Sequence, residues 1–274
     1  MKPTPKSPTE PATLRSAERR SPDRPVSKTE TNEPIGRSAL QPLLAFGAHP
    51  DDLEFGCGGI VANETRDGRK AHFVICSRGE AGSHGTSAQR IAEAKRAAKF
   101  LGATVEFIEL DGDAHLEIRA AHAIQLAGIL RRVRPSIVLA PSLVENQHPD
   151  HWRLGRLVRD AARLARYGGM KELRRAPAHA IDQLFFYAVT PEAEPRDISP
   201  VLMDVSAPEI ISAWTAAMVA HKTQTATRNY VELQLTRARL LGARAGISHA
   251  MALFPNDPLV LKSLTQAGRA ARRF

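Results

Sequence analysis

Two short stretches concentrate the side chains that can do metal and acid–base chemistry. The first is Ala48-His49-Pro50-Asp51-Asp52-Leu53-Glu54, which runs on into Phe55-Gly56-Cys57-Gly58-Gly59. The second is Glu145-Asn146-Gln147-His148-Pro149-Asp150-His151-Trp152. Neutral imidazole and carboxylate oxygen are good zinc ligands. Asp51 and Asp52 are neighbours, so in a turning backbone they need not address the same atom. One can bind a metal while the other handles a proton. His148 and His151, with Asp150 between them, can supply one ligand and one ionisable histidine that is not a ligand. The bland reading of the first stretch is a polar turn with an Asp helix cap. For the second it is a pair of exposed loop histidines. The shared context of strand end, His-Pro-Asp and helix start weighs against both.

The elements that must position these residues are legible around them. Residues 43–48 read as a short buried strand that ends on the first stretch. Residues 72–76, 105–110 and 136–140 read as further strands, and the last leads into the second stretch. Helices are expected at 59–66, 87–101 and 118–133. Strands alternating with helices imply βαβ units and a mostly parallel sheet. In an open α/β sheet ligands bind at the carboxyl ends of the strands, where both clusters fall. Further on, 184–189 and 201–205 look like strands, and 208–221 and 227–245 look helical.

Composition bounds the rest. The 274 residues suffice for one large α/β domain, and 43% hydrophobic with 24% charged residues is ordinary for a globular protein. No apolar run approaches the roughly 18 residues of a membrane span, and no secretory signal is visible. Cys57 and Cys76 lie in apolar segments without metal or redox spacing, so the expected compartment is a reducing cytoplasm. The net charge of +9 sits at the ends: residues 1–40 hold eight Lys/Arg against five Asp/Glu, and 262–274 hold four against none. The expected organisation is a disordered leader at 1–38, a domain at 39–261 and a basic tail at 262–274. Solvated tails, rather than a nucleic-acid partner, follow from that distribution.

Taken together, the two stretches resemble the PIG-L/LmbE family of zinc-dependent N-acetylglucosaminide deacetylases, which includes enzymes of mycothiol and bacillithiol biosynthesis. The similarity extends to Gly79-Glu80-Ala81-Gly82-Ser83-His84-Gly85, to Arg90 and Glu93 ahead of Leu101-Gly102, and to Leu110-Asp111-Gly112. It runs more faintly through Asp204-Val205-Ser206 and His221-Lys222-Thr223-Gln224. The resemblance implies a Rossmann-like α/β fold, a mostly parallel sheet flanked by helices. It implies His49, Asp52 and His151 as zinc ligands, Asp51 as general base and His148 as acid or electrostatic partner. Asp150 matches a carboxylate that orients a histidine. Arg90 and Asp111 match positions that hold sugar hydroxyls, and Glu80 matches the acid of the glycine loop. Gln147, His84 and Ala250-Met251 depart from the family pattern, which bears on the sugar more than on the metal.

Three protein ligands with a vacant position is the arrangement of catalytic zinc, although a two-His, one-carboxylate set leaves iron(II) open as well. The expected partner is a small N-acetyl sugar, and the family often forms homo-oligomers. The alternative is a non-catalytic relative that binds metal or carbohydrate. Outside the clusters, Cys57 and His72 read as packing residues, and His115 and His122 as surface residues. Trp152 could stack on a sugar or simply pack, and His84 and His249 are possible rim contacts.

Overall fold

The computed structural model describes Met1 and residues 40–145, 148–226 and 228–271. The expected leader beyond Met1, Gln147 and the last two arginines of the tail lie outside the described residues. Seven strands form one sheet in the order β3-β2-β1-β4-β5-β7-β6. Strands β1 (Leu43–Gly47), β2 (Ala71–Ile75), β3 (Ala103–Phe107), β4 (Ile137–Pro141) and β5 (Gln183–Tyr187) are parallel. β7 (Ala250–Pro255) runs antiparallel to β5 and to β6 (Val201–Asp204). β1 is central and buried along its whole length, which explains why it reads as a continuous apolar run instead of an alternating one.

Helices cover both faces. On one, α1 (Asp52–Arg66), α2 (Ser87–Phe100) and α5 (Pro208–Val219) pack around Phe73, Leu101 and Trp214. On the other, α3 (Ala120–Val133) and α4 (Pro149–Ala165) pack around Phe46, Leu130 and Phe186. A four-residue α6 (Lys222–Thr225) and the longer α7 (Tyr230–Ala245) complete the chain before β7. The short helix expected at 59–66 begins seven residues earlier, so Asp52, Leu53 and Glu54 occupy its first turn. The expected polar turn is confined to His49-Pro50-Asp51. The strand at Ala250–Pro255 escaped the pattern of the sequence, because its residues are small or apolar without alternation.

Gly56 lets α1 lie close to the sheet, since a Cβ there would collide with the Tyr187 ring. The Tyr187 hydroxyl donates to the Phe46 carbonyl at 2.8 Å, and Trp214 Nε1–H donates to the Glu54 carbonyl at 2.7 Å. The first bond ties β5 to the end of β1, and the second ties α5 to the first turn of α1. Gly155 likewise lets α4 lie close to the sheet, where a side chain would strike the Pro141 carbonyl at the end of β4. Residues 257–271, which include all of the described part of the basic tail, are exposed.

Candidate active site

β1 and β4 are neighbours in the sheet, so the helix starts that follow them face one another. This brings His49, Asp51 and Asp52 together with His148, Asp150 and His151 across 100 residues of sequence. His49 Nδ1 lies 3.3 Å from His151 Nε2 and 3.6 Å from Asp52 Oδ2, and His151 Nε2 lies 3.0 Å from Asp52 Oδ1. Ligand atoms held at about 2.1 Å and tetrahedral angles around one ion stand about 3.4 Å apart. The three side chains therefore already have the spacing that a single divalent ion requires. Their donor set, two imidazoles and a carboxylate, fits the zinc expected from the sequence.

The other face of His49 is equally specified. Its Nε2 is 3.1 Å from Asp113 Oδ1 and 3.2 Å from Asp150 Oδ2. Those carboxylates are fixed in turn by backbone donors: Ala81 N–H to Asp113 at 3.1 Å and Ala114 N–H to Asp150 at 2.8 Å. With the Nε2 proton given to a carboxylate, Nδ1 keeps its lone pair for an ion, the usual device for orienting a histidine ligand. Despite burial, which pushes it down, the His49 pKa is raised well above its ordinary value by Asp52, Asp113 and Asp150. Asp52 moves the opposite way. Burial opposes its ionisation, but His151 and His49 hold the carboxyl well below the usual range.

Asp51 occupies the N-cap position of α1, yet its side chain makes no capping hydrogen bond. The bland reading of this residue as a helix cap therefore fails. Its carboxylate lines the cavity, 3.5 Å from the Arg90 guanidinium. Burial and the adjacent Asp52 raise its pKa to about 6, with Arg90, His221 and His49 pulling against them. Its backbone has φ 126° and ψ −26°, a conformation that essentially only glycine adopts without strain. Replacing a residue by Gly instead of Ala ordinarily costs stability through the unfolded chain. At position 51 the order should reverse, with Asp51→Gly more stable than Asp51→Ala by about 1 kcal/mol, since strain of this kind is worth about 1–3 kcal/mol. Urea unfolding of the two variants checks this; Ala above Gly would contradict it.

His148 is the N-cap of α4, and its Nδ1 accepts from the Asp150 backbone N–H at 3.3 Å. Burial and the nearby His49 lower its pKa. A neutral ring whose Nδ1 is an acceptor carries its proton on Nε2. Arg90 is buried, donating to the Gly79 carbonyl at 2.9 Å and the Pro50 carbonyl at 3.1 Å. It lines the cavity, and it also braces the loop that carries Asp51.

Two of the expected substrate contacts lie elsewhere. The Asp111 carboxylate is turned to Arg119 at 3.1 Å and to the Glu117 N–H at 3.1 Å, and it does not line the cavity. Glu80 is exposed and accepts from the Asp113 N–H at 2.7 Å and the Arg78 N–H at 2.9 Å, so it shapes the Asp113 loop without reaching the cavity. Asp113, unremarked in the sequence, is the carboxylate that enters the site. The turn around it has positive φ at Asp111, Gly112 and Ala114, and spacing alone does not say which of its two aspartates faces inward. His122 is buried, not on the surface, and Trp152, His84 and His249 do not line the cavity. The cavity itself measures about 590 Å³ and reaches from His49 and Asp52 to Tyr230 and Leu233 on α7.

A cavity carboxylate beside a group of side chains spaced to hold a metal ion, at the carboxyl ends of parallel strands, is an arrangement suited to hydrolysis. Comparison with known proteins agrees. The model of the family described as "PIG-L: GlcNAc-PI de-N-acetylase" matches residues 44–162. A diacetylchitobiose deacetylase from Thermococcus kodakarensis is 29% identical over 187 residues, covering 62% of this chain and 68% of that protein. A 4-oxalmesaconate hydratase from Pseudomonas putida is 33% identical over 140 residues, 47% of this chain and 54% of that protein. The crystal structure of the conserved protein TT1542 from Thermus thermophilus superposes with a TM-score of 0.70 at 30% identity, over 84% of this chain and 100% of that one. The chain belongs to the PIG-L family, and deacetylation of N-acetylglucosamine-type substrates is the activity this membership supports. Among the described residues no helix is long and apolar enough to cross a membrane.

Proposed function

We propose that the chain is a zinc-dependent deacetylase that hydrolyses the acetamide of an N-acetylglucosamine-containing substrate, a glucosaminide of the bacillithiol type among the candidates. The observation that carries this reading is the convergence of His49, Asp52 and His151 on one point, with the Asp51 carboxylate beside them in the same cavity. His49, Asp52 and His151 would hold a divalent ion, which would supply Lewis-acid chemistry to the amide when bound. Asp51 takes a proton as water adds to the acetamide carbon, a task suited to a carboxylate whose pKa is raised toward neutrality. His148, neutral with its proton on Nε2, donates a hydrogen bond to the developing oxyanion. The carbon–nitrogen bond then breaks, and Asp51 returns its proton to the departing amine. Acetate and a free amino sugar result. Arg90 keeps Asp51 aimed, and Asp113 and Asp150 keep His49 aimed.

The folded catalytic unit in this reading is 39–261, with the basic tail outside it. Acetate release from a panel of N-acetylglucosaminides, measured on protein with its metal content determined, tests the proposal. Stoichiometric metal with no acetate released from any of them would overturn it in favour of a binding protein. The hydratase among the relatives supports a second reading, addition of water to an activated carbon–carbon double bond by the same base. Turnover of an unsaturated carboxylate without amide cleavage would select that reading.

A further inference from the structure

Away from the cavity, the charge of the domain is unevenly shared. Residues 153–175 hold eight Lys/Arg against two Asp/Glu, whereas the rest of 41–261 holds eighteen against twenty-two. The excess is therefore confined to α4 and the segment that follows it, apart from the basic ends of the chain. Arg156, Arg159, Arg163 and the C-cap Arg166 recur at intervals of three, four and three residues, which places them along one face of the helix over about 15 Å. Arg159 is half-buried and the other three are exposed, as are Lys171, Arg174 and Arg175 beyond the helix. Among the described residues none of these seven side chains is in an ion pair. Elsewhere on the surface Arg66 meets Glu209, Arg78 meets Glu109, Arg119 meets Glu117 and Arg239 meets Glu232. The segment after α4 is held in place. Arg131, buried on α3, donates to the carbonyls of Ala165, Tyr167, Leu173 and Ala176 at 2.7–3.1 Å. Tyr167, next to Arg166, is left 55% exposed. Favourable interaction with the helix dipole accounts for cations in the last turn of α4 but not for a row that begins at Arg156.

We propose that this face of α4 is a binding surface for the phosphate backbone of single-stranded nucleic acid, with Tyr167 stacking on a base. The proposal stands apart from the deacetylase reading, since none of these side chains lines the catalytic cavity. Guanidinium groups without carboxylate partners offer forked donors to phosphate oxygens. A row of them releases counterions from a polyanion, the main source of affinity that does not depend on base sequence. An exposed aromatic ring beside such a row supplies the stacking platform that single strands use. An anionic membrane fits less well. A helix that binds a lipid surface turns an apolar face into it, and the apolar residues of α4, Leu154, Leu157, Val158 and Ala161, are buried in the core of the domain.

Fluorescence anisotropy of a labelled oligodeoxythymidylate, titrated with the full chain at several salt concentrations, tests this. Log affinity should fall linearly with log salt. Arg163→Glu combined with Arg166→Glu should weaken binding by about tenfold and flatten the salt slope by about 1.4, the share of two single-strand phosphate contacts. Arg174→Gln combined with Arg175→Gln should act in the same direction, which keeps the test decisive if the first pair fails to fold. Lys95→Glu combined with Lys99→Glu makes the same change of net charge on the exposed face of α2. It should alter affinity by less than about twofold, because salt screens charges remote from the contact. Tyr167→Ala should cost the single strand about tenfold and a DNA duplex of equal length much less. Equal losses from the α2 and α4 pairs would assign the binding to net charge and overturn the proposal. So would unchanged affinity in both α4 pairs, or no binding by the native protein at low salt. Binding to phosphatidylglycerol vesicles that depends on Arg163 and Arg166, with none to the oligonucleotide, would overturn it in favour of a membrane surface.

Discussion

Asp51→Asn should lower kcat for acetate release by about 100- to 10,000-fold while the protein keeps its full complement of metal. Asn is close to isosteric with Asp, so the Arg90 contact and the strained turn are disturbed little. It cannot accept the proton that water loses in attacking the amide. The metal should stay because Asp51 contributes nothing to the three-atom cluster of His49, Asp52 and His151. Metal analysis and steady-state kinetics on the same preparation check both halves. An Asp51→Asn enzyme with native kcat would remove Asp51 from the reaction. One that loses its metal as well would make it a structural support. The strain at position 51 gives this residue a second signature, because a protein retains a carboxylate in a glycine conformation only where something else over-determines it. Here the Gly-for-Ala stability order at 51 and the catalytic loss in Asn report on the same residue through independent observables.

How far the sequence carried depended on how local each signal was. The metal group was legible because its members sit in two contiguous motifs and each motif follows a strand of strong apolar character. Adjacency of β1 and β4 then does the rest. The parallel half of the sheet was legible for the same reason, since helix and strand periods alternate cleanly from residue 43 to 165. The carboxyl-terminal part was harder. β7 carries Ala250, Met251 and Ala252 with neighbours covering both faces, so no alternation marks it as a strand. α6 is a single turn held by tertiary contacts, notably the Thr223 hydroxyl donating to Glu93 at 2.7 Å, and no helix of four residues is stable through its own propensity. Asp113 was missed because loop conformation, not residue type, decides whether it or Asp111 faces His49. Glu54 and His221 tell a similar story. Each is buried, and they meet at 3.3 Å, but 167 residues separate them and only the tertiary fold reveals the pair.

The second large effect falls on the neighbouring residue and on a different property. In Asp52 one oxygen, Oδ2, accepts the backbone N–H groups of Ala48 at 2.8 Å and His49 at 2.9 Å. The other, Oδ1, faces His151. Asp52→Asn forces a choice between these duties. Two backbone donors demand an acceptor, so the Asn carbonyl oxygen must take the Oδ2 position and the amide nitrogen must take the place of Oδ1. An amide nitrogen has no lone pair to offer a cation, and its hydrogens point where the ion would sit. The variant should therefore fold with a melting temperature near that of the metal-free native protein, yet lose metal affinity by more than the 10- to 100-fold typical of changes to residues that merely orient a ligand. Dialysis against a metal chelator of graded strength measures the affinity, and thermal unfolding of both apoproteins measures the fold. Asp52→Ala makes the control, since it removes the ligand and also strands the two backbone donors, so it should lose the metal and destabilise the apoprotein by about 1–3 kcal/mol. Native-like metal binding in Asp52→Asn would show that the ion takes its carboxylate from elsewhere in the cluster, with Asp113 and Asp150 on the other side of His49 as the remaining donors.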